Sequence, residues 1–253
     1  MSKWKEKASI IIPVMIQSDN FYCYLDNFIY CFESALLQTR TAEIVVVDYG
    51  SAKKYSEELK ELIKNKGVYV REEATVWSRG RSLNAGIEAS NGEFVFFIDA
   101  DCVIPPTYVQ DHLAKSRAKV CTFSPVYDTT KHVIKSHDVT VLKKFRLPKL
   151  RGISHMAVYH DWFVKYGGFD PAYVGWGAED NDLWHKLIST GVDRIRINTH
   201  PYHLWHPTYE KLLANIGKKA WYKKMLVANR KLFFKKYDIQ SYRQLIKKQN
   251  KKG

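Results

Sequence analysis

Phe94-Val95-Phe96-Phe97-Ile98 runs directly into Asp99-Ala100-Asp101. Five apolar residues without polar alternation read as a strand buried on both faces, and the acids mark its end. The same signature recurs at Ser9–Val14 and at Glu43–Asp48, centred on Ile44-Val45-Val46-Val47, with shorter strands at Val68–Val70 and Val120–Phe123. Between these runs the spacing turns helical. Phe21, Leu25, Phe28, Ile29, Phe32 and Leu36 share one face over residues 20–37, with Ser18 or Asp19 as N-cap. A lysine- and glutamate-rich segment turns Tyr55, Leu59, Leu62 and Ile63 inward and stops at Gly67. Arg81–Ala89 forms a further helix, and Pro105-Pro106 opens another. Strands alternating with helices predict an α/β fold: a Rossmann-like mixed, mostly parallel sheet flanked by helices. In such sheets ligands sit beyond the carboxyl ends of the strands. That rule directs attention to Pro13–Gln17, Asp48–Ser51 and Asp99–Cys102.

Residues 126–160, with basic stretches and Pro148, read as loop and edge structure. Order returns over 161–206, with a short helix, a glycine- and aromatic-rich turn, a helix from about Glu179 to Thr190 capped by Gly191, and a strand at Arg194–Ile197. The 253 residues suffice for one sizeable domain with an appendage, and 45% hydrophobic content predicts a packed core rather than disorder. No apolar stretch approaches the ~20 residues of a membrane-spanning helix. Met1–Lys7 lead into an apolar run too short for a signal peptide, so a cytoplasmic location is expected. Cys23, Cys31, Cys102 and Cys121 are scattered among apolar neighbours and read as buried small hydrophobes, not a disulfide framework. Charge is unevenly spread: residues 211–253 carry +13 of the formal +14.

Three segments carry chemistry. Asp99 and Asp101, one residue apart where a strand ends, are hard oxygen ligands that can reach a divalent cation. Such a cation bridges the phosphates of a nucleotide diphosphate. A solvated turn is the plain alternative. Gly175-Trp176-Gly177-Ala178-Glu179-Asp180-Asn181-Asp182 combines glycines that permit unusual backbone angles, a flat aromatic face and acids at a helix start, where negative charge is favoured. Those acids read otherwise as ordinary helix-start charges, with Trp176 in the core. His203 and His206 converge on one metal if the chain turns between them.

Together and in this order, the segments resemble glycosyltransferases of the GT-A fold over about residues 8–207. The N-terminal half is similar to the large bacterial family of inverting transferases, through Ser9–Val14 and Glu43-Ile44-Val45-Val46-Val47-Asp48-Tyr49-Gly50-Ser51. The C-terminal half is similar to β-galactosyltransferases and chondroitin-type polymerases through Gly175–Asp182. The resemblance implies a catalytic domain over 1–210, with a nucleotide-sugar-binding half (1–125) and an acceptor and catalytic half (126–210), followed by a basic helical extension (211–253). It implies that Pro13 begins the loop bordering the nucleotide, and that Asp48 reads the uracil ring. Trp77, Arg79 and Arg81 would hold the uridine and diphosphate of a UDP-sugar donor, with Asp99, Ala100 and Trp176 beside them. Asp99, Asp101, His206 and His203 would form the metal site. Manganese is the implied ion, with magnesium an alternative because His203 supplies nitrogen where relatives place a methionine. Asp180 matches the catalytic base of an inverting transfer, with Glu179 positioning the acceptor. Departures are Tyr49 in place of a second acid, Met15-Ile16-Gln17 without the arginines of the galactosyltransferases, and Ala178 in place of glycine.

The implied reaction moves a hexose or N-acetylhexosamine onto a glycan, glycolipid or glycoprotein acceptor, in surface polysaccharide or glycolipid synthesis. Rival readings are a retaining or nucleotidyl transferase on the same fold, and a membrane- or nucleic-acid-binding module on a degenerate scaffold. In the tail, Trp221, Met225, Ala228 and Leu232 share one helical face flanked by Lys219, Lys223, Lys224, Arg230 and Lys231. Such a helix suits the anionic inner face of a membrane, at about 1 kcal/mol per basic residue. It equally suits packing of the stripe on the catalytic body. A nucleic-acid partner is disfavoured because no nucleic-acid motif accompanies the charge.

Overall fold

Alternate residues of the apolar strands point to opposite faces, and both faces are filled. Ile10, Ile12, Val46, Phe94 and Phe96 pack with Phe28, Phe32, Leu59, Ile63 and Tyr108 on one side. Ile11, Val45, Val47, Val95 and Phe97 pack with Leu83, Ile87, Trp162, Leu183 and Trp184 on the other. This is why these strands are continuous apolar runs: neither face meets water. The computed structural model describes residues 6–18, 24–133, 135–207, 219–238, 240 and 244.

The strands are β1 (Glu6–Val14), β2 (Glu43–Tyr49), β3 (Val68–Glu72), β4 (Gly92–Phe97), β5 (Cys102–Val103), β6 (Val120–Thr129), β7 (Arg146–Tyr159), β8 (Asp193–Arg196) and β9 (Tyr202–His203). They form one sheet in the order β3-β2-β1-β4-β7-β6-β9-β5, with β8 pairing β6. β1 lies parallel to β2 and β4, and β2 parallel to β3. Beyond β4 the directions mix: β7 is antiparallel to both β4 and β6. The helices α1 (Tyr24–Leu36), α2 (Lys53–Ile63) and α4 (Tyr108–Leu113) cover the first face. α3 (Arg79–Ala89), α6 (His160–Tyr166) and α7 (Glu179–Ser189) cover the second. α5 (Val139–Leu142) is a single turn, and α8 (Lys219–Lys236) follows the body of the sheet in the chain. Cys31 and Cys102 sit in the first cluster and Cys121 in the second, all as free thiols. No described helix is long and apolar enough to cross a membrane.

The expectation of loop and edge structure over 126–160 is corrected. β7 is an interior strand that joins the two halves of the sheet. Its sequence, interrupted by Pro148 and Gly152, lacks an apolar run, and its pairing with β6 slips at Ser124/Val126 and Tyr127/Thr129. Bulged pairing breaks the period-two signal from which a strand is read. Asp19 and Phe21 lie outside the described residues, as does the stretch between Ser18 and Tyr24 on which the expected N-cap falls.

The loop after β2 depends on one backbone angle. Gly50 has φ +82°, and a Cβ built there would land on the carbonyl oxygen of Ala74. Alanine at this position would meet both the left-handed conformational cost and a rigid backbone atom. Gly50→Ala should destabilise by about 2–3 kcal/mol. In a chain of this length that is a fall of roughly 5–10 °C in Tm, measurable by calorimetry.

Candidate active site

The pairing of β5 with β9 builds the first part of the site. Cys102 lies opposite His203, and the Leu204 N–H donates to the Asp101 carbonyl at 2.8 Å. That register brings Asp101 beside both later histidines. Asp101 Oδ2 is 3.5 Å from His203 Nε2 and 3.2 Å from His206 Nε2, and the two Nε2 atoms are 3.2 Å apart. The outer ring nitrogens are spoken for. β9 runs parallel to β6 with Asp128 opposite His203, and His203 Nδ1 lies 3.0 Å from Asp128 Oδ1. His206 Nδ1 lies 2.8 Å from the Pro207 carbonyl. The Pro207 carbonyl can only accept, so His206 donates Nδ1–H outward and turns its Nε2 lone pair inward. The Asp128 charge beside His203 Nδ1 favours the same tautomer there, the usual outer-shell arrangement of a metal-ligating histidine. Adjacent donors on one ion of this size sit about 3 Å apart. The three donor atoms therefore fit a divalent cation. Burial pushes the Asp101 carboxyl up, but the facing imidazoles outweigh it and hold it well below the usual carboxylate range.

Asp99 turns the other way. Arg79 Nε donates to its Oδ1 at 2.8 Å, while Arg79 Nη1 donates to Asp180 Oδ1 at 2.7 Å. The guanidinium, with 7% of its side-chain surface exposed, thus joins the end of β4 to the start of α7. Arg79 stands in the first turn of α3, where a cation opposes the helix dipole. The two carboxylates offset that cost. His155 Nε2 accepts the Asp99 N–H at 3.3 Å, and burial pushes its pKa down to about 4, so the ring is neutral. Burial raises Asp180, opposed by Arg79 and assisted by Asp99. Glu179 is also raised, by burial and then by the Asp180 charge, and its Oε2 is buried without a hydrogen-bond partner.

The remaining expected residues fall into two groups. Trp77 and Trp176 approach with ring centroids 6.2 Å apart, and Tyr49 meets Trp77 edge-on at 6.1 Å. The Gly175 N–H donates to the Trp77 carbonyl at 2.7 Å. Arg81 is exposed, donates Nε to the Pro171 carbonyl at 2.8 Å, and helps line a groove of ≈ 400 Å³ with Tyr49, Thr75, Ser78 and Val174. Three others are turned inward. Pro13 is buried in the β1–β2 ladder opposite Val47, and Ala100 lies in the core. Asp48 is fully buried. Its Oδ1 accepts the Ser51 N–H, and its Oδ2 accepts from Ser56, Tyr69 and Arg71. With those contacts made, Asp48 organises the loop behind the groove instead of facing it. Sequence reasoning missed Asp128, His155 and Arg71. An acid on a strand beside a histidine-bearing strand is a usable signal for Asp128, but only once the β6–β9 register is known.

A mixed sheet that gathers a two-histidine, one-carboxylate cluster and an acid-led helix at one edge has the architecture of GT-A transferases. The chain belongs to glycosyl transferase family 2, whose pattern matches residues 9–167. Residues 138–207 match the N-terminal domain of galactosyltransferase. Among curated relatives, the mouse (Mus musculus) chondroitin sulfate N-acetylgalactosaminyltransferase 1 is 25% identical over 78% of this chain and 40% of its own length. Human (Homo sapiens) chondroitin sulfate synthase 3 is 24% identical over 81% of this chain and 25% of its own. Human β-1,4-galactosyltransferase 1 is 28% identical over 52% and 31%. The chain thus spans well under half the length of these relatives. Among solved structures, GalNAc-T7 with UDP, GalNAc and Mn2+ superposes with a TM-score of 0.59 at 18% identity, over 79% of this chain and 44% of that one. S. aureus TarS 1–349 in complex with UDP-GlcNAc gives 0.58 at 16% identity, over 80% and 59%.

If Asp128 fixes the His203 tautomer, Asp128→Asn should weaken Mn2+ binding by about 10–100-fold while leaving Tm nearly unchanged. Calorimetric titration with Mn2+ checks this, and equal affinity in the two proteins would remove Asp128 from that role.

Proposed function

We propose that the protein is a metal-dependent inverting transferase that moves a hexose or N-acetylhexosamine from a UDP-sugar to an acceptor hydroxyl on a glycan, glycolipid or glycoprotein. Surface polysaccharide or glycolipid synthesis is the process it would serve. The observation that carries this reading is the contiguity of two charge systems. The Asp101–His203–His206 cluster and the Asp99–Arg79–Asp180 bridge leave the same strand end, two residues apart. A divalent cation held by Asp101, His203 and His206 would supply positive charge for a departing diphosphate. Two imidazoles and one carboxylate suit Mn2+ better than Mg2+, which prefers oxygen alone.

The chain's own groups divide the rest of the work. Asp180 takes the proton from the acceptor hydroxyl as that oxygen attacks the anomeric carbon and the bond to the diphosphate breaks. Attack from the face opposite the leaving group inverts the configuration. Arg79 holds Asp180 and Asp99 at fixed separation, and Trp77 and Trp176 offer flat faces to the donor. UDP-bound forms among the superposed structures support a UDP-sugar, and the names of the curated relatives support an aminosugar or galactose.

The tail adds a location to this reading. Trp221, Val227 and Phe234 stand exposed on α8 among Lys223, Lys224, Lys231 and Lys235. That combination supports peripheral contact with the anionic inner face of a membrane.

Screening sugar nucleotides with Mn2+ tests the reaction. One or two UDP-sugars should release UDP, not pyrophosphate, and the product should carry the opposite anomeric configuration. Asp180→Asn should lose about 10²–10⁴-fold in acceptor-dependent kcat while still binding UDP. Because burial raises Asp180, the acid limb of kcat/KM should lie above the ordinary aspartate value, with activity lost as falling pH protonates the base. Transfer by Asp180→Asn at the wild-type rate would defeat the mechanism. For the membrane contact, co-sedimentation with phosphatidylglycerol vesicles should fall on raising NaCl from 0.1 M to about 0.5 M, and equal sedimentation with phosphatidylcholine vesicles would refute it.

A further inference from the structure

The expected apolar stripe of the tail is rotated in the structure. Trp221 and Ala228 are exposed, and the face turned to the body is Met225, Asn229 and Phe233. The polar member of that face is the informative one. Asn229 is 5% exposed. Its Nδ2 donates to the carbonyl oxygens of Val174 at 2.9 Å and of Trp176 at 3.0 Å. Those carbonyls flank Gly175, the first of three left-handed residues in the turn that leads into α7. Gly175 has φ +75°, Gly177 +98° and Ala178 +74°.

Everything around Asn229 serves the same turn. A Cβ at Gly175 would land on Met225 Sδ, and one at Gly177 would come within 3.1 Å of Leu226 Cδ2. Tyr222 meets the Trp176 ring edge-on, with centroids 6.4 Å apart. One turn beyond, Lys236 reaches both Asp170 and Asp182, and the Tyr237 hydroxyl donates to Asp182 Oδ1 at 3.0 Å. On the inner side the turn is held by the Trp77 carbonyl and by the Ser78 hydroxyl, which donates to the Tyr173 carbonyl at 2.9 Å. The turn is gripped from two sides, and α8 supplies the outer grip.

We propose that α8 is a working part of the transferase and that Asn229 is a positioning residue. By fixing the Val174–Ala178 turn it sets where Trp176 and the Asp180 carboxylate stand relative to the donor. The proposal rests on the assignment of Asp180 as the base. Two backbone carbonyls of one turn that share a donor amide lose that common constraint when the amide is removed. A displacement of about 1 Å in a reacting group costs on the order of 10²-fold in rate.

The test compares wild type with Asn229→Ala, Asn229→Asp and an exposed control on α8, Ala220→Ser, in the full chain. Asn229→Asp keeps the shape but presents a carboxylate, which cannot donate to the two carbonyls. Amide hydrogen exchange should quicken in peptides covering 174–182 for both Asn229 variants and stay at wild-type rates in β1 and β4. With the donor that wild type turns over, kcat should fall about 10–100-fold. UDP affinity should stay within about twofold, and Ala220→Ser should match wild type. Unchanged exchange over 174–182, or unchanged kcat in a variant whose Tm alone falls, overturns the proposal. If wild type turns over no sugar nucleotide while exchange over 174–182 quickens as stated, the transferase reading fails and the grip of Asn229 on the turn stands.

Discussion

The arrangement depends on one buried cation. Arg79 is permanently charged, nearly inaccessible to water, and shared between Asp99 and Asp180, carboxylates 81 positions apart in sequence. A guanidinium cannot be buried alone without a severe desolvation cost, so acids must be brought to it, and here two are, Asp99 and Asp180. That requirement ties the end of β4 to the first turn of α7, and hence the parallel half of the sheet to the mixed half. Other contacts refine the junction. Ser78 caps α3 so that Arg79 begins the helix, and the Trp77 carbonyl anchors Gly175 just before the acids. Glu179 is the outlier, since Arg79 reaches its neighbour but leaves its Oε2 without a hydrogen bond.

The parallel half was legible because its strands are buried on both faces, which leaves a run of apolar residues that needs no partner to be recognised. β7 was not legible for the opposite reason. Its residues are chosen against a bulged antiparallel neighbour, and that neighbour is invisible in a one-dimensional pattern. The site divides in the same way. Asp101, His203 and His206 were readable by residue type, since few other side chains suit a divalent ion. What each acid faces was not readable. Asp99 and Asp101 look equivalent in sequence, yet the β5–β9 ladder turns one to the histidines while Arg79 takes the other. Asp48 drew attention as a strand-end acid, but Tyr69 and Arg71, more than twenty residues on, occupy its carboxylate.

The tail shows how a helical stripe misleads when its centre is polar. Counting apolar residues favours Trp221, Met225, Ala228 and Leu232, whereas the buried face centres on Asn229. An amide contributes nothing to an apolar stripe. Two backbone carbonyls within reach of its Nδ2 nevertheless suit an amide at this position, because hydrogen bonding a buried turn's acceptors offsets their desolvation. The rotation also explains how one helix carries two kinds of residue. Packing the Met225–Asn229–Phe233 face inward leaves Lys223, Lys224, Lys231, Lys235 and Phe234 exposed, while Lys236 turns back to Asp170 and Asp182.

The same turn explains why strain is tolerated beside the acids. Ala178 adopts a left-handed conformation without being glycine, at a cost of about 1 kcal/mol or more. Such a residue persists only where its surroundings leave no alternative. Here those surroundings are the Trp77 carbonyl inside, Asn229 outside, and α7 driven into the core by Leu183, Trp184 and Leu187. Relaxing Ala178 to a right-handed angle would swing the first turn of α7 and pull Asp180 from the 2.7 Å contact with Arg79. The ion pair and the strained turn therefore hold each other in place, and neither would be expected to survive the loss of the other.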